Sequence, residues 1–373
     1  MRIKSFEFNI RELAGSMGNL GTLLPFAIGY IVVCGLDPAG LLIMTGLACI
    51  VSGLVFKLPM PVEPMKVIAV VAIAQQWSPS MVYASGVAMG FIWLVFYSLG
   101  VIRWIEKITS ASVVTGIQVA LGLLLAFKAF DMIYDAWLLG LVSVITVMLF
   151  RNNRYAPAAI ILILLGIVYV IVNGDFKQIA PPAFALPQFA SFTIHEVWQV
   201  LILAGFAQIP LTITNATIAT SSLVKVYYPD KRADSKKLSL SHGVINTLLP
   251  LFSSMPLCHG AGGLVSKHYY GARTGGANII EGLTQICIGL FFSASIVGLF
   301  TYFPMAIIGG MMFLVGVELT KSARTLKLNL EFLPTIATVV VAFFTNMGFG
   351  YLAGLLLHYF VRFVISGKQK TNP

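Results

Sequence analysis

The run Leu58-Pro59-Met60-Pro61-Val62-Glu63-Pro64-Met65-Lys66 lies between two long apolar stretches, where a membrane-embedded chain can least accommodate it. Proline fixes φ and lacks a backbone N–H, so this run cannot be the middle of a helix. Non-helical backbone at membrane depth is tolerated only where it is buried in protein or lines a cavity. An ionisable residue at that depth marks a functional site by default, and here Glu63 and Lys66 both stand there. The run is therefore expected to lead, extended, into a discontinuous helix whose N-terminus opens at a substrate site.

Composition places the rest of the chain in a bilayer. Of 373 residues, 58% are hydrophobic and 10% charged, against about 25% charged in an ordinary soluble domain. An all-α polytopic membrane protein is expected. The net charge of +10 sits in short loops between apolar runs, so it reads as membrane topology. No basic face with interleaved aromatics points to nucleic acid. Cys34, Cys49, Cys258 and Cys287 lie in or beside apolar segments and fit neither a zinc motif nor a disulfide framework. No motif calls for a metal or cofactor, and the charged N-terminus lacks the apolar core of a cleaved signal peptide.

Spanning segments are expected at roughly 12–34, 38–56, 80–101, 112–128, 135–150, 156–173, 197–222, 239–254, 275–300, 304–319, 332–346 and 348–365. Half-helices at about 61–76 and 260–272, each preceded by a short extended stretch, bring the count to fourteen. Charge tests this count. Arg2, Lys4, Arg11, Lys57, Arg103, Lys107, Arg151, Arg154, Lys225, Lys231, Arg232, Lys236, Lys237, Lys321, Arg324, Lys327, Arg362, Lys368 and Lys370 all fall on one side, while Lys128 and Lys177 fall on the other. Both termini are therefore expected in the cytoplasm.

The chain also repeats itself. Met60-Pro61 recurs as Met255-Pro256 at an offset of 195, Gly116 and Gly122 recur as Gly310 and Gly316 at 194, and Asn19 matches Asn215 at 196. Two halves, 1–175 and 195–373, would hold seven segments each around an external linker at 176–194. Seven is odd, so the second half enters the membrane inverted, which places binding at the midplane between the discontinuous helices.

The second break is Met255-Pro256-Leu257-Cys258-His259-Gly260-Ala261-Gly262-Gly263, where glycine permits close backbone approach. Two half-helix N-termini facing one cavity would offer free N–H donors and partial positive charge to an anion. The candidate binding set is Asn19, Thr22, Glu63, Pro64, Met65, Lys66, Gln118, Asn215, His259, Gly260, Ala261, Gly262 and Gly263. Amides and hydroxyls in crossing helices, Gln208, Thr212 and Thr214 among them, either ligate substrate or join helices. Glu63 and Lys66, three apart, can pair across a first helical turn. Glu63, His259 and Glu281 are the candidates for carrying a coupling proton. Lys267, His268 and Arg273 read as residues of the cytoplasmic interface, and Glu318 as a partner of Lys321.

Gly15-Ser16-Met17-Gly18-Asn19-Leu20-Gly21-Thr22-Leu23-Leu24-Pro25, the Pro59–Lys66 run, and the Met255–Gly263 run followed by Gly271-Ala272-Arg273-Thr274-Gly275-Gly276 resemble the signatures of the molybdate transporter family, related to the sulfate permeases. Gly116-Ile117-Gln118 also resembles a family segment. The resemblance spans nearly the whole chain. It implies the seven-plus-seven inverted-repeat fold shared with uracil permeases, with core and gate domains, a possible homodimer, and uptake of molybdate or a similar oxyanion. The family pattern usually has Asp where this chain has Asn19, and Gln where it has Glu63, so the acid has changed helices. A basic residue expected before Gly116 is Thr115 here.

The expected activity is secondary active transport of a small tetrahedral oxyanion, molybdate first and sulfate second, with proton coupling and alternating access, in the cell (inner or plasma) membrane. The rival readings are a proton-coupled nucleobase permease on the same fold and an anion channel or sensor. No nucleophile–base set suggests an enzyme.

Overall fold

A computed structural model of the chain describes residues 2–3, 5–150, 158–231, 233–325 and 330–370. Lys4, Arg151, Arg154, Arg232 and Lys327, which enter the charge argument, lie outside the described residues.

A hairpin of β1 (Arg2–Ile3) and β2 (Phe6–Glu7) opens the chain. It is followed by α1 (Ile10–Ser16), α2 (Leu20–Val32), α3 (Pro38–Phe56), strand β3 (Glu63–Pro64), α4 (Lys66–Gln75), α5 (Pro79–Leu99), α6 (Ile102–Ile108), α7 (Ala111–Tyr134), α8 (Trp137–Phe150) and α9 (Ala158–Val172). The second half holds α10 (Ile194–Val200), α11 (Phe206–Leu211), α12 (Thr220–Tyr227), α13 (Ser235–Leu248), strand β4 (Leu257–Cys258), α14 (Ala261–Tyr269), α15 (Gly276–Tyr302), α16 (Met305–Thr320), α17 (Leu333–Phe344) and α18 (Met347–Lys370).

Local sequence explains where many helices start. Asp37-Pro38 and Ser78-Pro79 carry the same signal, a side chain that accepts first-turn amides followed by a proline already set for the helix. Thr193 and Glu196 form a reciprocal capping box at α10. Gly100, with φ of +65°, ends α5 in the left-handed conformation that glycine adopts without strain.

A helix lies in each of the fourteen stretches read as segments. Six are long and apolar enough to cross a membrane, and the bent pair α1–α2, at 45°, makes a seventh. Helices α4, α8, α9, α16 and α17 are shorter and apolar. Exposed Phe127, Phe130, Leu149 and Phe360 face outward, as lipid contact requires, while α4 is buried on every side from Val67 to Ile73.

Four features depart from the sequence reading. The first segment breaks at residues 17–19, because Gly18 abuts the Ser266–Lys267 backbone of α14. The first half-helix starts at Lys66, not at 61, so Glu63 stands on a strand. The 197–222 segment runs from Ile194 to Tyr227 and widens into π-helix at Leu201–Gly205 and Thr212–Ala219. Helix α6 and the N-terminal hairpin have no counterpart in the reading, being too short to register in hydropathy.

Packing is reciprocal between the halves. Helix α3 packs on α15 as α5 packs on α13, and α7 packs on α17 as α16 packs on α8. Helices α7 and α16 pack on each other at Gly122 and Gly316. A Cβ at Gly122 would lie 2.8 Å from the Gly316 carbonyl oxygen, and one at Gly316 2.9 Å from that of Gly122. Only glycine permits that approach, and these two form one of the glycine pairs related by the 194-residue offset.

Candidate functional site

Strands β3 and β4 cross antiparallel, pairing Glu63 with Cys258 and Pro64 with Leu257. Glu63 and Cys258 are themselves 195 residues apart, the same offset that relates Met60-Pro61 to Met255-Pro256. The Met65 amide donates to the Pro256 carbonyl at 2.9 Å. Three buried asparagines satisfy much of the broken backbone. Asn19 Nδ2 donates to Val62 O at 3.1 Å, and Asn278 Nδ2 donates to Met60 O at 2.5 Å. Asn246 holds both sides of Leu257, each bond 2.7 Å. Backbone groups cut off from water have no cheaper solution.

His259 is a clamp across this crossing. Its Nδ1 lies 2.8 Å from the Pro61 carbonyl, which can only accept, so Nδ1 carries the proton. Nε2 then accepts from Ser241 Oγ, also at 2.8 Å. Its amide donates to His242 Nε2 at 3.0 Å, and its carbonyl accepts from Thr220 at 3.1 Å.

The two half-helix N-termini are not alike. At α4, Gln208 Oε1 accepts from the amides of Val67 at 2.8 Å and Ile68 at 3.3 Å, and Gln208 Nε2 donates to Thr212. Those donors are taken, so the α4 N-terminus is not open to an anion. At α14 no side chain caps the first turn. The Glu63 carboxylate lies against it instead. A Cβ at Gly260 would collide with Glu63 Oε2, and one at Gly263 with Glu63 Oε1. Gly262, between them in sequence, is exposed, with nothing within 4 Å of where its Cβ would be.

Glu63 is 1% exposed, and its Oε2 has no hydrogen-bond partner; Lys66 Nζ stands 3.4 Å away as an ion-pair partner, too poorly aligned for a hydrogen bond. Asn19 Oδ1, next to the same strand, is buried and also unpartnered. The crossing therefore gathers Asn19, Glu63, Pro64, Met65, Lys66, His259, Gly260, Ala261, Gly262 and Gly263. Thr22, Gln118 and Asn215 are half-buried on α2, α7 and the second π-helical turn, and their side chains make no hydrogen bond among the described residues.

Glu281 is not at the crossing. It pairs with Lys267 at 2.5 Å through Oε2 and accepts from Gln285 Nε2 at 3.3 Å through Oε1. Lys267, read as an interface residue, is fully buried behind α14 and also donates to Asn278 at 2.8 Å. Sequence reading also missed Glu12, whose carboxylate accepts from the amides of Arg273, Thr274 and Ala277 and caps α15. The signal was an acid at the head of the first apolar segment.

Crossed strands thus lead into two half-helices inside a bundle of apolar helices. Two solved structures share the fold: the transmembrane domain of a cyanobacterium bicarbonate transporter, BicA, with TM-score 0.68 and 17% identity over 93% of this chain and 96% of that one, and the murine Slc26a9 anion transporter in the inward-facing state, with TM-score 0.71 and 15% identity over 98% of this chain and 69% of that one. The family profile "Molybdate transporter of MFS superfamily" matches residues 11–125 and 200–319. Molybdate transporter 2 of Arabidopsis thaliana is 30% identical over 93% of this chain and 86% of its own length, and molybdate transporter 1 of the same plant 28% over 95% and 88%. The chain belongs to the molybdate transporter family. It is a transporter and not an enzyme, and its fold is that of the Slc26a9 and BicA structures despite the superfamily label in the profile's description.

Proposed function

We propose that this chain is a secondary active transporter of a tetrahedral oxyanion, molybdate first and sulfate second, and that uptake is coupled to protons through Glu63. The observation that carries this reading is the uncapped, glycine-rich start of α14 with the Glu63 carboxylate lying on it. A helix N-terminus with free amides suits an anion. An oxyanion and an ionised Glu63 compete for that one position. A proton on Glu63 removes the competitor and frees Lys66 to pair with the incoming anion, so proton and anion move together. His259 has both ring nitrogens engaged, which favours Glu63 as the carrier.

The same reading takes the fourteen segments as two inverted repeats, 1–175 and 195–373, joined by an external linker at 176–194. It is supported by the reciprocal packing of α3–α15 and α5–α13 and by the contact of Gly122 with Gly316. The repeats form a core around the crossed strands and a gate from the α7 and α16 groups, and alternating access is their relative movement. With both termini cytoplasmic, single cysteines at Asp175 and Lys107 label from opposite sides of sealed membranes. Labelling of both from one side would remove the inverted repeat.

Binding tests the site. Purified protein should bind molybdate and tungstate, sulfate more weakly, and uracil not at all. Gly262→Leu should lower molybdate affinity at least tenfold with an unchanged size-exclusion profile, because the side chain has room but fills the approach to the free amides. Normal molybdate binding by Gly262→Leu would place the site elsewhere; uracil displacing molybdate would favour a nucleobase permease.

A further inference from the structure

We infer that the basin formed by the end of α5, α12 and the start of α13 is a release vestibule, a second station that holds the oxyanion between the α14 tip and the medium. This rests on the transport reading above. The basin encloses about 660 Å³, about twenty water volumes at roughly 30 Å³ each, enough for an anion with part of its hydration shell. It lies at the end of α5 beside Lys225, Lys236 and Lys237, on the side that the charge pattern makes basic. Lys237, beside the basin, reaches Val55 O at 3.4 Å and lies over the Phe56 ring.

Its walls carry Lys225, Lys236 and the hydroxyls of Ser221 and Ser222. Neither lysine forms an ion pair among the described residues. Lys236 is steadied over the Tyr97 ring, 5.3 Å from its centre, which leaves its charge uncancelled. The acid on the wall is Asp234, whose Oδ1 accepts the Lys237 amide at 2.8 Å as the cap of α13. The basin is thus net positive, with hydroxyls to share.

Its position ties it to the site. Ser221 and Ser222 follow Thr220, whose hydroxyl holds the His259 carbonyl at 3.1 Å where the chain turns into α14. From Thr220 to Lys225 the segment is regular helix and rises about 8 Å at roughly 1.5 Å per residue. The polar lining of the basin therefore begins one residue beyond the group that holds the turn into α14, so an anion released from the α14 tip on this side would have the two lysines close by. A concave surface of one sign raises the local concentration of its counter-ion, and the effect weakens with salt.

The experiment is sided counterflow of labelled molybdate in proteoliposomes of pure phosphatidylcholine, with orientation read from an N-terminal tag. In Lys225→Gln/Lys236→Gln, the ratio of basic-face to opposite-face half-saturation should rise about threefold to tenfold, and the wild-type ratio should climb toward that value as salt increases. Lys128→Gln, on the opposite face, should leave the ratio as in wild type. An unchanged ratio in the double variant overturns the vestibule while leaving transport standing. A ratio that shifts only when anionic lipid is added assigns the basin to lipid headgroups and overturns it too. One that shifts only with millimolar phosphate on the basic face assigns it to free phosphate, with the same consequence. Absence of counterflow in the wild type on either face removes both this inference and the transport reading.

Discussion

Glu281→Gln and Lys267→Met should each yield a protein that fails to fold stably, whereas Lys267→Met/Glu281→Leu should recover most of the loss. Lys267 is 0% exposed and Glu281 5%, and they meet at 2.5 Å behind the half-helix. Removing one partner leaves the other charge buried without compensation, at roughly 3–5 kcal/mol. That is a large share of the roughly 5–15 kcal/mol by which most domains are stable. Removing both charges avoids the penalty. Recovery stops short because Asn278 Oδ1 loses its donor Lys267, at roughly 1–3 kcal/mol for a buried group left unsatisfied. Thermal unfolding in detergent, followed by size-exclusion, reads all three variants. Were Glu281 a proton carrier, Glu281→Gln would fold normally and lose only pH dependence. That outcome would return Glu281 to the coupling machinery.

The pair also shows why the fold was more legible than the site. Hydropathy, prolines and loop charge are summed over many residues, so segment positions and both breaks came through. The matches at one offset were visible because the two breaks and the α7–α16 glycines sit at close contacts where few residues fit. What was not legible is which polar group meets which. Asn19, Asn246 and Asn278 perform the same task on broken backbone, yet only Asn19 stood in a run that drew attention. Gln208 was noted as a polar residue in a crossing helix, but nothing local says that it caps α4 from 140 residues away. Lys267 lies next to His268 at the end of a half-helix, which looks like an interface; its burial follows from Glu281 and Asn278 on the facing helix. The π-helical turns escape because hydrophobic periodicity hardly distinguishes a locally widened helix from a regular one.

Glu63→Gln should keep molybdate binding within about threefold of wild type and keep exchange, but lose accumulation driven by a pH gradient. In the wild type the carboxylate lies on the start of α14 with Oε2 unpartnered. A divalent oxyanion about 4 Å from an ionised Glu63 would be repelled by roughly 4 kcal/mol per unit of its charge at an effective dielectric of about 20. That exceeds what one helix N-terminus returns, at most about 2 kcal/mol. Lys66, 3.4 Å from Glu63, offsets part of that repulsion while it pairs with the carboxylate, but only a neutral Glu63 leaves it wholly to the anion, and Gln mimics that state permanently. Exchange needs no net proton movement and survives; accumulation needs it and stops. Uptake against external pH, with exchange measured in parallel, separates the two, and unchanged pH-driven accumulation in Glu63→Gln would make the residue structural. A second substitution sharpens the argument. The resembling pattern places Gln at position 63 and Asp at position 19, and Asn19 already donates to Val62 O beside Glu63. An aspartate at 19 can make that bond only when protonated, since the ionised form is acceptor-only. Asn19→Asp in the Glu63→Gln background should therefore restore pH-driven accumulation, because the proposed coupling needs one protonatable carboxyl at this crossing and either strand or helix can supply it.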